Sequence, residues 1–181
     1  MMDAARYAAV EFLRDGRRIE IRALRPADEV DMLAAVDRTS AQSLYRRFFG
    51  AKRHFSEREQ AHFLDIDFVN HVALVAVAES AGTRLIVGGG RYVVVGPGVA
   101  EVAFVVTDDY QGKGIGAALM HHLVALARSA GIKQLIAEVL PENQPMLKVF
   151  QNSGLDVQTK HRAGVVEVAL NVANGVTGGR H

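Results

Sequence analysis

The residues whose types and spacing best suit chemistry are Gln111-Gly112-Lys113-Gly114-Ile115-Gly116. An apolar, β-branched run from Val102 to Val106 leads into them. A helical stripe follows at once, with Ile115, Leu119, His122, Leu123 and Leu126 on one side. A strand that feeds a glycine-rich turn opening a helix leaves the N–H groups of the first helical turn unpaired and pointing outward. Together with the positive end of the helix dipole, they form an anion site suited to a pyrophosphate. The glycines keep side chains out of the way, and Lys113 can add a charge.

Three phosphate-binding readings compete for this turn. A P-loop needs G-x-x-x-x-G-K-[ST], and no such string is present. A dinucleotide-type G-x-G-x-x-[GA] is formally matched by Gly112, Gly114 and Ala117, with Glu138 as a candidate ribose partner. That fingerprint opens a βαβ unit, however, whereas three apolar runs without helix-length spacers precede this turn. The third reading is Q-x-x-G-x-[GA], fitted by Gln111, Gly114 and Gly116, which resembles the signature of the GNAT superfamily of acyl-CoA-dependent N-acyltransferases. A turn with no ligand is the plain alternative, but three glycines directly before a long amphipathic helix have no simpler use.

The elements that must position this turn can be read in order. Arg17–Leu24 alternates and predicts a strand. Arg25-Pro26-Ala27-Asp28 stops it and starts a helix to about Val36. Thr39 or Ser40 can cap a second helix carrying Leu44, Tyr45, Phe48 and Phe49, and Ser56-x-x-Glu59 is a capping box for a third. Val72–Ala78, Leu85–Val95 and Ala100–Val106 predict an antiparallel meander with turns at Ser80–Thr83 and Gly96-Pro97-Gly98. A helix Ile115–Ala130, a strand Lys133–Leu140, a helix from Asn143 to about Asn152, and short strands at Leu155–Lys160 and Val165–Leu170 complete the pass. The 181 residues, 49% of them apolar, suit a single domain over 17–172, with an N-terminal extension at 1–16 and a polar, glycine-rich tail at 173–181. The net charge of +1 gives no drive toward nucleic acid or anionic membrane, and the absence of cysteine excludes thiolate chemistry and disulfides. No stretch reaches membrane-spanning length and no signal-peptide pattern opens the chain, so a cytoplasmic protein is expected.

This order of elements resembles the GNAT fold from about Arg17 to Leu170. Ile21–Asp28, Ser43–Phe49, His71–Val77, Glu101–Met120 and Ala137–Leu155 are similar, more narrowly, to the acetyltransferase module of bacterial Pat-type protein-lysine acetyltransferases. The resemblance implies an α/β fold with a mixed, mostly antiparallel sheet of six to seven strands and helices on both faces. It also implies acetyl-CoA as co-substrate, no metal, and a protein acceptor such as an AMP-forming acyl-CoA synthetase. A small amine, or no catalysis at all, are the alternatives. Relatives often carry a second, acyl-CoA-synthetase-like or nucleotide-sensing domain, for which 181 residues leave no room, so a free-standing version is expected.

Acyl transfer to an amine needs a base for the ammonium proton and a donor for the oxyanion. The resemblance makes Glu101 the base, with a pKa raised by partial burial among Val and Phe. The residues alone favour a plain strand-end carboxylate, exposed or paired with an arginine such as Arg91. His71, which opens an apolar strand, is the alternative base, or else a packed or capping histidine. The resemblance also implies that backbone N–H groups of Phe104, Val105 or Val106 hold the thioester carbonyl. The cofactor is then bound by Gln111, Gly112, Lys113, Gly114, Ile115, Gly116 and Ala117, with Asn143 and Met146 contributing from the next helix. Asn143 reads equally as a plain N-cap. Phe150 stands where many GNAT enzymes carry a tyrosine acid, leaving Ser153, Asn143 or water to assist the leaving thiolate. A basic patch at Arg46, Arg47, Lys52, Arg53, His54 and Arg58 is expected to form part of the acceptor wall and to favour a protein surface over a polyamine.

Overall fold

A computed structural model describes residues 2–37 and 66–173. Its centre is one eight-stranded sheet: β1 (Ala8–Phe12), β2 (Arg18–Ala23), β3 (His71–Ser80), β4 (Thr83–Gly96), β5 (Val99–Val106), β6 (Gln134–Val139), β7 (Asp156–Arg162) and β8 (Val165–Asn171). Their order across the sheet is β1-β2-β3-β4-β5-β6-β8-β7. All neighbours run antiparallel except β5 and β6. Among the described residues the α-helices are α1 (Glu29–Asp37), α2 (Ile115–Ser129) and α3 (Gln144–Gln151). The expected second and third helices and the basic patch at Arg46–Arg58 lie outside the described residues.

The expected meander is there, and it removes the dinucleotide reading: antiparallel β3, β4 and β5 precede the glycine turn, not a βαβ unit. One boundary is corrected. The N-terminal extension contains β1, which pairs with β2 from Ala8↔Arg22 to Phe12↔Arg18 and becomes the sheet's edge, so the count rises to eight strands. A hairpin joins the two. Leu13 N–H donates to Arg17 O at 2.8 Å, and Gly16 supplies the left-handed φ of +88°.

Strand alternation divides the core between the two faces. Leu74, Ala76, Val102, Phe104, Leu135 and Leu170 pack with Leu119, Leu123 and Phe150 of α2 and α3. On the other face Leu24, Ala73, Val75, Val77 and Ile86 form a smaller cluster with Met32 and Ala35 of α1. A buried bidentate pair, Arg22 to Asp28 at 2.8 Å on both oxygens, pins the start of α1 to β2. Glycines set the fit of α2 on the sheet. A Cβ on Gly90 would stand 2.7 Å from Phe104 Cδ1 and 3.0 Å from Leu123 Cδ1.

Candidate active site

The site arises where β5 and β6 part. The two strands pair in parallel over three residues only, Val99↔Gln134, Ala100↔Leu135 and Glu101↔Ile136. Beyond Glu101, β5 stays with β4 while β6 stays with β8 to Val139↔Val166, so a gap opens between them. A cleft of about 460 Å³ fills that gap on the α2/α3 face, running from Glu101–Val106 to the glycine turn, with Asn143, Met146 and Phe150 along its far side.

Which backbone groups face the gap follows from alternation along β5. Thr107 N–H reaches back to Val87 O of β4 at 2.9 Å, whereas Val106 O accepts from Gln111 Nε2 at 3.0 Å. Successive residues of a strand turn their peptide groups to opposite sides, so Phe104 and Val106 address the gap and Val105 addresses β4. The Phe104 ring is buried and sits 6.1 Å from that of Phe150, closing the floor.

At the glycine turn, Gly112 and Gly114 adopt φ of +75° and +98°, conformations that a side chain would strain. Open space surrounds the position of a Gly112 Cβ. Ala118 N–H bonds back to Gly114 O, so the N–H groups of Ile115, Gly116 and Ala117 have no intrahelical partner. This cradle, opening on a cleft, fits a diphosphate. Gly116 has a second use: a Cβ there would lie 3.3 Å from Val149 Cγ2, so it lets α3 approach α2.

Two residues assigned to the anion site do other work. The Gln111 N–H donates to Asp108 O at 3.3 Å, closing a 3₁₀ turn, and its side chain ties the turn to Val106. Lys113 is not among the cleft-lining residues, and its Nζ lies 3.6 Å from Asp15 Oδ2. The Asp15 carboxyl is held down at about 2 by hydrogen bonds from the Arg17 side chain and N–H, with Lys113 adding to the pull. Arg14, from the same hairpin, lines the cleft. It falls in the segment expected to be an extension and was missed.

Glu101 is exposed, which corrects the expected burial. The apolar neighbours Val102 and Phe104 that suggested burial both turn their side chains to the α2/α3 core, whereas Glu101 shares the opposite face with Ile136. There a second cleft, of about 450 Å³, is lined by Glu101, Glu138, Gln158, Lys160 and Glu167. Glu101 therefore borders both clefts. His71 lies on Glu101's face with β4 between them, through His71↔Val93 and Val93↔Glu101. Its Nε2 is 2.9 Å from Arg91 Nη1, and since a guanidinium only donates, that nitrogen is already an acceptor. Asp67 further caps the N–H of His71 at 2.9 Å. His71 is a packed, capped histidine.

Asn143 Oδ1 accepts from Met146 N–H at 3.3 Å, so the N-cap reading holds for that oxygen while the residue still lines the cleft. Met146 is half-buried beside it. Ser153 Oγ donates to Phe150 O at 2.7 Å, which uses its proton locally.

A mixed sheet with a forked parallel pair, a glycine-opened helix at one end of the fork and a carboxylate shared by two clefts define an acyl-CoA-dependent transferase. The chain belongs to the GNAT acetyltransferase family, whose model matches residues 38–155. It is 35% identical over 138 residues to an acetyltransferase of Pseudomonas aeruginosa, covering 76% of this chain and 74% of that one. It is 31% identical over 162 residues to the acetyltransferase Pat of Mycolicibacterium smegmatis, covering 88% of this chain and 47% of Pat, so it spans about half of that relative. The crystal structure of the GNAT domain of S. lividans PAT superposes with a TM-score of 0.82 at 34% identity, over 91% of this chain and 96% of that domain. The protein is an N-acetyltransferase with acetyl-CoA as co-substrate. Among the described residues no helix is long and apolar enough to cross a membrane.

Proposed function

We propose that the protein acetylates the ε-amine of a lysine on a folded protein in the cytoplasm, with an AMP-forming acyl-CoA synthetase as the first acceptor to try. The observation that carries this is the likeness to Pat over 88% of the chain, the type whose acetyltransferase module the quoted segments resemble. The second cleft supports a cationic acceptor. Among the described residues neither Glu101 nor Glu138 is in an ion pair, and Glu167 has only Arg162, at 3.6 Å. An ammonium seated there has Glu138 and Glu167 along the same wall as Glu101.

Acetyl-CoA supplies the acetyl group as an activated thioester. The cleft on the α2/α3 face would hold it, its diphosphate on the amides of Gly112–Ala117 and its arm between Val106 and Asn143. Glu101 takes the ammonium proton from the opposite face, directly or through water. The N–H groups of Phe104 and Val106 donate into the gap, where negative charge develops on the acyl oxygen. Acetylating a synthetase lysine removes its charge.

Labelled acetyl-CoA incubated separately with acyl-CoA synthetases, spermidine, aminoglycosides and free amino acids tests the acceptor. Label on a synthetase lysine is expected. Efficient transfer to a small amine with no label on any synthetase overturns the reading in favour of a small-molecule acetyltransferase. In the same assay Glu101→Gln should lower kcat/KM by roughly a hundred- to ten-thousandfold while CoA binding persists. A variant within a few fold of wild type removes Glu101 from the mechanism.

A further inference from the structure

We propose that Arg14, at the tip of the β1–β2 hairpin, is a ligand to the diphosphate of acetyl-CoA, so that the N-terminal hairpin forms a wall of the cofactor site. The inference rests on reading the α2/α3-face cleft as the acetyl-CoA site.

Three observations carry it. First, Arg14 lines that cleft, and its Nε lies 3.8 Å from where a Cβ on Gly114 would stand, so the guanidinium sits at the mouth of the cradle. Second, the hairpin is fastened to the turn from both sides. Asp15 reaches Lys113 at 3.6 Å, Arg17 stacks 4.8 Å above the Tyr110 ring, and Arg17 Nη1 donates to Tyr110 Oη at 3.3 Å. Arg14 directly precedes the first of these anchors, Asp15, so the fastened hairpin keeps it beside the glycines. Third, the charges divide in a telling way. Lys113 and Arg17 both face Asp15, whereas Arg14 has no hydrogen bond or ion pair with any described residue. The turn's own lysine is therefore neutralised by the hairpin, and the hairpin returns a cation of its own. A guanidinium is planar and weakly hydrated and can donate two bonds to one phosphate, which an ammonium cannot match.

Isothermal calorimetry with CoA and with 3′-dephospho-CoA tests this on wild type, Arg14→Ala and Arg14→Lys. Arg14→Ala should weaken both ligands by about five- to twentyfold at low salt, a charge-assisted bond discounted for its exposure. The deficit should shrink as salt rises. Arg14→Lys should recover part of it. Melting temperature should not move, because Arg14 touches nothing that holds the fold. Equal affinity of wild type and Arg14→Ala for both ligands overturns the proposal and leaves the cleft reading intact. A deficit seen with CoA but absent with 3′-dephospho-CoA assigns the contact to the 3′-phosphate and overturns it too. A wild type that binds neither ligand overturns the cleft reading, and the proposal with it.

Discussion

Gly89 and Gly90 are neighbours in β4, yet a methyl group should have opposite consequences at the two. A Cβ on Gly89 would meet only Leu74 O at 3.5 Å, an ordinary contact. On Gly90 it would meet Phe104 Cδ1 at 2.7 Å, Phe104 Cε1 at 3.0 Å and Leu123 Cδ1 at 3.0 Å. Neither partner has room to give, since Phe104 is wedged against Phe150 and Leu123, on the sheet-facing side of α2, is fully buried. Replacing a strand glycine with alanine gains roughly 0.5–1 kcal/mol by restricting the unfolded chain. That gain is common to both variants and cancels in their difference. What remains is the overpacking cost at Gly90, about 1–3 kcal/mol. For a chain of this size it separates the two melting temperatures by roughly 2–12 °C, Gly90→Ala being the lower. Because Phe104 is part of the fork floor, Gly90→Ala should also raise the KM for acetyl-CoA, while Gly89→Ala should leave it unchanged. Thermal melts followed by circular dichroism decide the point. If Gly90→Ala melts with Gly89→Ala, then α2 does not lie as close to the sheet as described and the account of the fork floor fails.

Two further outcomes follow from the packing. Asp28→Asn should destabilise the fold by about 2–4 kcal/mol near neutral pH, because it removes the bidentate carboxylate from the buried Arg22 and leaves its charge to the more distant Glu20, 3.5 Å away, and the Ala23 carbonyl. Burial by itself would push the Asp28 carboxyl up, but hydrogen bonds from Arg22 and the Arg25 N–H bring it below its ordinary value. Its contribution is thus fully present above about pH 4 and lost as pH falls through the lower folded value, so chemical-denaturation curves of wild type and variant should converge in acid and stay apart above it. Phe150→Tyr should change kcat less than about threefold, since the thiolate leaves with little help; stopped-flow or steady-state rates showing a large gain would mean that its protonation limits turnover.

Much of the site was legible because it depends on local rules. The glycine turn, the meander and the N-cap at Asn143 each follow from a few adjacent residues, and the structure has them where those residues stand. The N-terminal hairpin carried a readable signal as well, Asp15-Gly16 between two alternating stretches, but β1 is only five residues long and exposes Val10 and Phe12, so it lacks the apolar face that marks a strand. What no local rule gives is the side on which a residue ends up. Val102 and Phe104 made Glu101 look buried, although alternation sends it to the other face. The pairing of Lys113 with Asp15 was equally out of reach, because Asp15, close in space, is 98 residues away in sequence.

The exposure of Glu101 matters for how it can act as a base. A carboxylate in open water is a weak acceptor for an ammonium proton, and burial is the usual remedy. If Glu101 is the base, as proposed, the remedy is geometric. The face that exposes Glu101 is also the wall of the second cleft, so an acceptor seated there covers the carboxylate as it delivers the amine. Desolvation then accompanies substrate binding and is absent from the resting enzyme. The same economy governs the fork. Ending the β5–β6 ladder at Glu101 leaves the peptide groups of Phe104 and Val106 without a strand partner, a state that water can satisfy and a thioester arm can take over. Both halves of the site are thus incomplete surfaces of one sheet. They meet at the last residue that still pairs: Glu101 borders both clefts, as Ala137 and Glu138 do on the facing strand, and it stays fixed by the ladder behind it.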